Sequence, residues 1–236
     1  MDLRASDALV RALENEGVER IFGLPGEENL HLVESIRRSG IELVLTRHEQ
    51  AAAFMAATHG RLTGRPGVCL TTLGPGALNL STGAAYALLG GMPMVMITGQ
   101  KGILSAAQAR FQIVDTVAAM TPLTKMTRQI ASPAMIPTMI REAFRVAQAE
   151  RPGPVHLELP EDIAAAPVEE IRLIPPHHTE QPVGCPAAIA AAAEVVRGAE
   201  RPLIMLGADA ARPRCCHALS GFVARMQIPY VTTQMG

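Results

Sequence analysis

One carboxyl in this sequence stands where it could do proton chemistry. Glu49, in Arg47-His48-Glu49-Gln50, precedes an uncharged run, Ala51-Ala52-Ala53-Phe54-Met55-Ala56-Ala57. Spacing alone leaves two readings open. Either Glu49 sits in the first turn of a helix, where the macrodipole favours an acid, or it is a carboxyl in an apolar site, its pKa raised so that it can share a proton with a heterocycle nitrogen. A second feature is Gly74-Pro75-Gly76-Ala77-Leu78-Asn79, which opens a helix after a strand, the place of a dinucleotide fingerprint. It departs from that fingerprint at Asn79, where the third glycine belongs, and no acid ends the next strand to hold a ribose. Pro75 also removes a backbone N–H from any phosphate cradle. The loop suits close backbone approach to a flat ring better than phosphate capture. Cys215-Cys216-His217 has the residue types of a metal tract but no second ligand pair at finger spacing. It reads as structural, and no metal ligand is assigned.

Positioning these residues falls to an alternation of strand and helix from Ser6 to about Pro160. Ser6 is expected to cap a helix that runs to Gly17. Strands are expected at Val18–Phe22, Ile41–Thr46, Gly67–Thr72, Met94–Thr98, around Leu123–Ile130 and at Val155–Leu159. Helices are expected at Asn29–Arg38, Glu49–Gly60, Ala77–Leu89 and about Pro133–Ala149, with Gly74-Pro75-Gly76 a turn. Apolar strands separated by helices imply a doubly wound parallel sheet, whose ligands lie beyond the carboxyl ends of the strands. Those ends are Gly23–Gly26, Thr46–Glu49, Thr72–Gly76 and Thr98–Gln100, where the chemically interesting residues fall. Residues 166–185 read as a linker, with Pro167, Pro175, Pro176 and Pro182 and the solvated pair His177-His178. A second βα pattern follows over 186–236: helix Ala187–Arg197, strand Leu203–Gly207, helix Pro213–Met226 and strand Tyr230–Thr233. Two strands are too few to stand alone, so this Rossmann-like domain reads as the first half of a larger one.

Composition bounds the function classes. At roughly 150 residues per domain, 236 residues make one domain and part of another. A net charge of −1 and 3% aromatic residues argue against a nucleic-acid or anionic-membrane surface. With 48% hydrophobic residues, disorder is excluded for most of the length. No apolar run reaches the ~18–20 residues of a membrane span, and Met1-Asp2-Leu3-Arg4 runs into a helical pattern without a signal peptide. The four cysteines lack the density of a disulfide scaffold, so a cytoplasmic location is expected.

Six motifs then occur in order: Phe22-Gly23-Leu24-Pro25-Gly26, Arg47-His48-Glu49-Gln50-Ala51-Ala52, Gly74-Pro75-Gly76-Ala77-Leu78-Asn79, Gly91-Met92-Pro93 with Ile97-Thr98-Gly99-Gln100, Phe111-Gln112, and Arg151-Pro152-Gly153-Pro154. Together they resemble the N-terminal pyrimidine-binding domain of thiamine diphosphate (ThDP) enzymes, above all the acetolactate (acetohydroxyacid) synthase large subunit. The resemblance covers essentially residues 3–165, and the tail resembles the first half of that family's central domain. It implies a pyrimidine-binding domain at 1–165, the linker, and an incomplete central α/β domain at 186–236. It also implies decarboxylation of pyruvate and ligation to a second 2-keto acid, a step of branched-chain amino acid biosynthesis. Glu49 would hydrogen-bond N1′ of the aminopyrimidine, a role that needs a carboxyl able to hold a proton at neutral pH when desolvated. Pro25 and Gly26 would lie near the pyrimidine, with Thr72, Pro75 and Asn79 packed around it, and Phe111 and Gln112 on the substrate side. Arg151 matches an arginine that contacts FAD in the flavin-carrying synthases; a rigid loop before the last strand explains it equally well. The minimal unit implied is a homodimer, or a tetramer.

Two departures point toward a different 2-keto-acid decarboxylase or carboligase. Glu27 stands where many synthases have Gly or Ala; a second carboxyl there would protonate the carbanion and favour aldehyde, unless it points to solvent. Glu161 replaces a common Lys. The His-His pair of aldehyde-forming decarboxylases is absent, which favours a ligase. The family's Gly-Asp-Gly…Asn motif for diphosphate and Mg²⁺ is also absent, and Gly207-Ala208-Asp209 has no suitable Asn after it. The metal clamp must then come from a C-terminal domain or partner subunit, or the chain is a non-catalytic half of a split enzyme. The isolated chain is therefore expected to bind ThDP negligibly. Calorimetric titration with ThDP and Mg²⁺ checks this, and a micromolar, Mg²⁺-dependent isotherm would overturn it.

Overall fold

The computed structural model describes residues 3–104, 110–177 and 183–236. Met1, Asp2 and the linker residues His178 and Pro182 lie outside the described residues. The chain divides into two compact units, the first ending at His177.

The first unit is built on one six-stranded sheet, ordered β2-β1-β3-β4-β6-β5 and parallel throughout. Its strands are β1 (Arg20–Gly23), β2 (Glu42–Leu45), β3 (Gly67–Thr71), β4 (Met94–Gln100), β5 (Met126–Gln129) and β6 (Pro154–Pro160). The α/β doubly wound expectation holds. Because β1 lies between β2 and β3, the chain reverses its direction of winding there, and the crevice at their carboxyl ends is where such sheets take ligands.

Each face has its own chemistry. Helices α1 (Ala5–Asn15), α2 (Leu30–Arg37), α7 (Ile136–Gln148) and α8 (Glu161–Ala165) pack on an aliphatic face that includes Ile21, Val68, Leu70, Val95, Ile97, Val155 and Leu157. The alternate residues face α3 (Glu49–Thr63), α4 (Gly74–Leu78), α5 (Ser81–Gly90) and α6 (Thr116–Met120). Small buried side chains on α3, Ala52, Ala53, Ala56 and Ala57, let that helix lie close to the sheet.

Several elements differ from expectation. Arg4, not Ser6, caps α1: its backbone is extended and its N–H donates to Asp7 Oδ2 at 2.9 Å. Ser6 is instead the second helical residue, buried, and accepts a hydrogen bond from Ser35 Oγ at 2.9 Å. The expected helix over 77–89 is two, α4 and α5, and α4 begins at Gly74 itself. Proline costs nothing in a first turn, where its missing N–H has no partner to lose. Helices α6 and α8, each of five residues, were not anticipated; they are too short to show a periodicity. Half of the expected linker packs on the first unit, with Val168 N donating to Leu3 O at 2.9 Å and Asn15 Nδ2 to Ile174 O at 2.8 Å.

The second unit holds α9 (Pro186–Gly198), β7 (Ile204–Leu206), α10 (Pro213–Met226) and β8 (Tyr230–Thr232), the strands paired parallel. No helix among the described residues is long and apolar enough to cross a membrane.

Within the first unit, His156 is fully buried between two hydroxyls, with Thr98 Oγ1 2.8 Å from Nε2 and Thr127 Oγ1 2.7 Å from Nδ1. Burial pushes its pKa down from 6.5 to about 4. The unfolded chain takes up this proton first, so the stability His156 contributes is full above about pH 6.5 and is lost as the pH falls toward 4. His156→Gln keeps polar partners for both hydroxyls and does not titrate. The stability gap between wild type and variant, read from urea melts, should narrow by on the order of 3 kcal/mol over that range. A gap that does not change with pH would show that the imidazole is not desolvated.

Candidate active site

Parallel strands bring their carboxyl-end loops to one edge, and each loop here delivers one part of a cradle. Glu49 opens α3 directly after β2, with His48 as its cap: His48 Nδ1 accepts from Gln50 N at 3.1 Å. The Glu49 side chain is half-buried, and Asn79 Nδ2 donates to its Oε2 at 3.0 Å. The other oxygen borders Gly76. A Cβ at Gly76 would lie 2.8 Å from Thr71 Oγ1, 2.9 Å from Thr72 Cγ2 and 3.4 Å from Glu49 Oε1. Only hydrogen fits there, which keeps the backbone of the Gly-Pro-Gly turn bare toward the carboxyl. Thr71 Oγ1 is buried beside this position and has no hydrogen-bond partner.

Thr72 joins this cradle to the loop after β1. Its side chain meets Gly26, where a Cβ would come within 2.5 Å of Thr72 Cβ. Its hydroxyl donates to Glu28 Oε2 at 2.7 Å. Asn29 secures the same turn, accepting from Gly26 N at 2.9 Å and donating to Leu24 O at 3.2 Å. Pro25 is exposed on the turn.

Glu27 is exposed at the start of a short 3-10 turn over 27–29, whereas its neighbour Glu28 is 6% exposed and ion-paired with Lys101 at 2.7 Å. Burial pushes the Glu28 carboxyl up, but Lys101 and the Thr72 hydroxyl together hold it below the usual carboxylate range. Glu161, at the start of α8, accepts from Gly102 N at 3.3 Å, and Asp162 accepts from Leu104 N at 2.8 Å. Both acids fasten the chain that leaves β4.

Gln112 adopts a left-handed backbone, φ 58°, and its carbonyl lies where a Cβ on Gly74 would collide. Gly74 is itself at φ 44°. Gln112 therefore sits against the Gly-Pro-Gly turn, and both it and Phe111 are exposed. Glu49, Asn79, Thr72, Gly26 and Gln112 are thus joined through contacts with that turn or with Thr72. Arg151 is not among them: it lies on an exposed loop, and its Nη2 donates to Leu89 O at 2.6 Å.

Comparison with known proteins decides the family. Residues 3–119 match the thiamine pyrophosphate enzyme N-terminal TPP binding domain, and residues 189–236 match the central domain of the same enzymes. The chain belongs to the thiamine pyrophosphate enzyme family. A protein of Methanocaldococcus jannaschii named "Probable acetolactate synthase large subunit" is 38% identical over 99% of this chain and 41% of its own length. An acetolactate synthase large subunit of Lactococcus lactis is 36% identical over 98% of the chain and 41% of its own. A Pseudomonas aeruginosa protein named "Probable 2-ketoarginine decarboxylase" is 36% identical over 99% and 42%. The chain therefore spans about two fifths of the length of these relatives.

The residues present fit the pyrimidine end of that family's cofactor. A flat ring needs a bare backbone, and a ring nitrogen needs a carboxyl at its edge; Gly76 and Glu49 provide both. Among the described residues no group of His, Cys, Asp and Glu could hold a metal ion.

Alanine at Gly76 tests the cradle. Helix propensity alone predicts a gain of about 1 kcal/mol, whereas the contacts with Thr71 and Thr72 cost about 1–3 kcal/mol, which should outweigh it. Urea melts of Gly76→Ala should show a lower midpoint; a higher one means that the cradle has room for a methyl group.

Proposed function

We propose that this chain supplies the pyrimidine half of a ThDP site in an acetolactate-synthase-like enzyme, which decarboxylates pyruvate and joins the two-carbon unit to a second 2-keto acid. The observation that carries this reading is the Glu49 carboxyl, fixed by Asn79 through one oxygen with the other beside the Gly76 cradle. When bound, the cofactor supplies an electron sink for the carbanion left by loss of CO₂.

The chain's own residues then have simple tasks. Glu49 holds and exchanges a proton at the ring nitrogen, while Asn79 keeps its carboxyl from rotating away. Gly26, Pro25, Thr72 and Pro75 border the ring, and Gln112 faces the keto acid. Diphosphate and Mg²⁺ are held by residues outside this chain. A homodimer is the minimal unit: Met55 and Leu62 on α3 and Leu89 on α5 are exposed apolar side chains on the helices that flank Glu49, and a second copy would cover them.

A second reading is a 2-keto-acid decarboxylase, favoured by the Pseudomonas relative. Product analysis with pyruvate separates the two: acetolactate supports the synthase and acetaldehyde the decarboxylase.

Glu49→Gln retains a hydrogen bond but cannot transfer the proton. In the active enzyme containing this chain, its rate of product formation from pyruvate should fall by about 10²–10⁴-fold, with cofactor affinity changed far less. Steady-state rates and a cofactor titration measure both, and a near wild-type rate would remove Glu49 from the chemistry.

A further inference from the structure

One buried carboxylate takes no part in the cradle. Glu158, in β6, is 2% exposed and accepts three donors from three elements. Gln100 Nε2 of β4 donates to Oε2 at 2.9 Å, Gln129 Nε2 of β5 donates to Oε1 at 2.6 Å, and the Thr116 hydroxyl at the start of α6 donates to Oε2. A carboxylate accepts from all three as they stand, whereas an amide would turn its own N–H₂ toward at least one of them and force that partner to reorient.

The same contacts reach the substrate side of the site. Gln100 Nε2 also donates to Val114 O at 3.2 Å, and Gln100 Oε1 accepts from Lys101 N at 3.0 Å. Thr116 N closes a turn onto Val114 O at 2.9 Å, and Ile113 N closes another onto Arg110 O at 3.3 Å. The segment leading into α6 is therefore held to Glu158 twice, once through the Thr116 side chain and once through Gln100. Two residues earlier, the Gln112 carbonyl fills the space left by Gly74.

We propose that Glu158 is a positioning residue that holds the Phe111–Gln112 segment against the Gly74-Pro75-Gly76 turn. The consequence for substrate rests on the function proposed above; the clamp itself rests on the hydrogen bonds.

Hydrogen exchange on the full chain tests the clamp. Glu158→Gln should speed exchange of the Ile113 and Thr116 amides by about tenfold, with the β1 and β3 amides unaffected. The double variant Gln129→Glu/Glu158→Gln returns one carboxylate and one amide to the same pair of positions, and should restore slow exchange. Retained protection in the single variant, loosening spread evenly over β1 and β3, or no restoration in the double variant would each overturn the clamp. In the active enzyme, KM for pyruvate should rise about tenfold in the single variant, while the cofactor dissociation constant stays unchanged, and return in the double variant. An unchanged KM over a loosened segment overturns the positioning role. A complete enzyme containing this chain, with ThDP and Mg²⁺ bound, that turns over no 2-keto acid defeats the proposed function, while the exchange data still decide the clamp.

Discussion

Every strand of the main sheet runs the same way, and that constraint governs what the protein can do. A parallel sheet needs a covered crossover between successive strands, so both faces are buried and the catalytically useful loops gather at one edge. At that edge charge is expensive. A carboxylate placed there must find donors within the protein, because water no longer serves all of its lone pairs. Glu28, Glu49 and Glu158 each meet this demand differently.

Glu28 has a cation and a hydroxyl, so its proton is held off and it is unsuited to proton delivery. Its pair with Lys101 adds little net stability over a well-packed apolar pair; what it adds is orientation, tying the turn after β1 to the end of β4. Among the described residues Glu49 is held by a neutral amide on one oxygen, and the other lies beside Gly76. Glu28 and Glu49 thus differ in environment, the first held by a cation and a hydroxyl and the second by an amide. Glu27, exposed beside them, has no comparable constraint.

Much of this was legible in the sequence because apolar runs and glycine punctuation report burial directly. All six strands of the first unit were anticipated, as were the carboxyl-end positions of Glu49 and the Gly-Pro-Gly turn. What escaped were features set by tertiary contact. Whether Glu27 or Glu28 turns inward depends on the phase of a three-residue turn, which no periodicity can reveal. The Arg4 cap depends on the reciprocal reach of Asp7, and Ser6 is drawn instead to Ser35 on a neighbouring helix. Glu158 did leave a trace: it is the one acid in the run Val155–Leu159, where Val155, Leu157 and Leu159 are apolar. Its three donors come from distant parts of the chain, so no local pattern reveals its role.

That acid also bears on why the sheet has a defined edge. Strand β5 is four residues long and pairs only with β6. Its register is read by side chains as well as by the backbone ladder, with Thr127 against His156 and Gln129 against Glu158. Arg128, between them, points to the opposite face and reaches Glu142 of α7 at 3.5 Å. A slip of one residue would move both polar partners to the aliphatic face and bring Arg128 opposite either His156 or Glu158. Aliphatic residues at 156 and 158 would bury equally well but would tolerate that slip. The polar stripe therefore specifies the pairing, and because Glu158 also takes Thr116 and Gln100, the pairing and the segment that carries Gln112 are set by the same carboxylate.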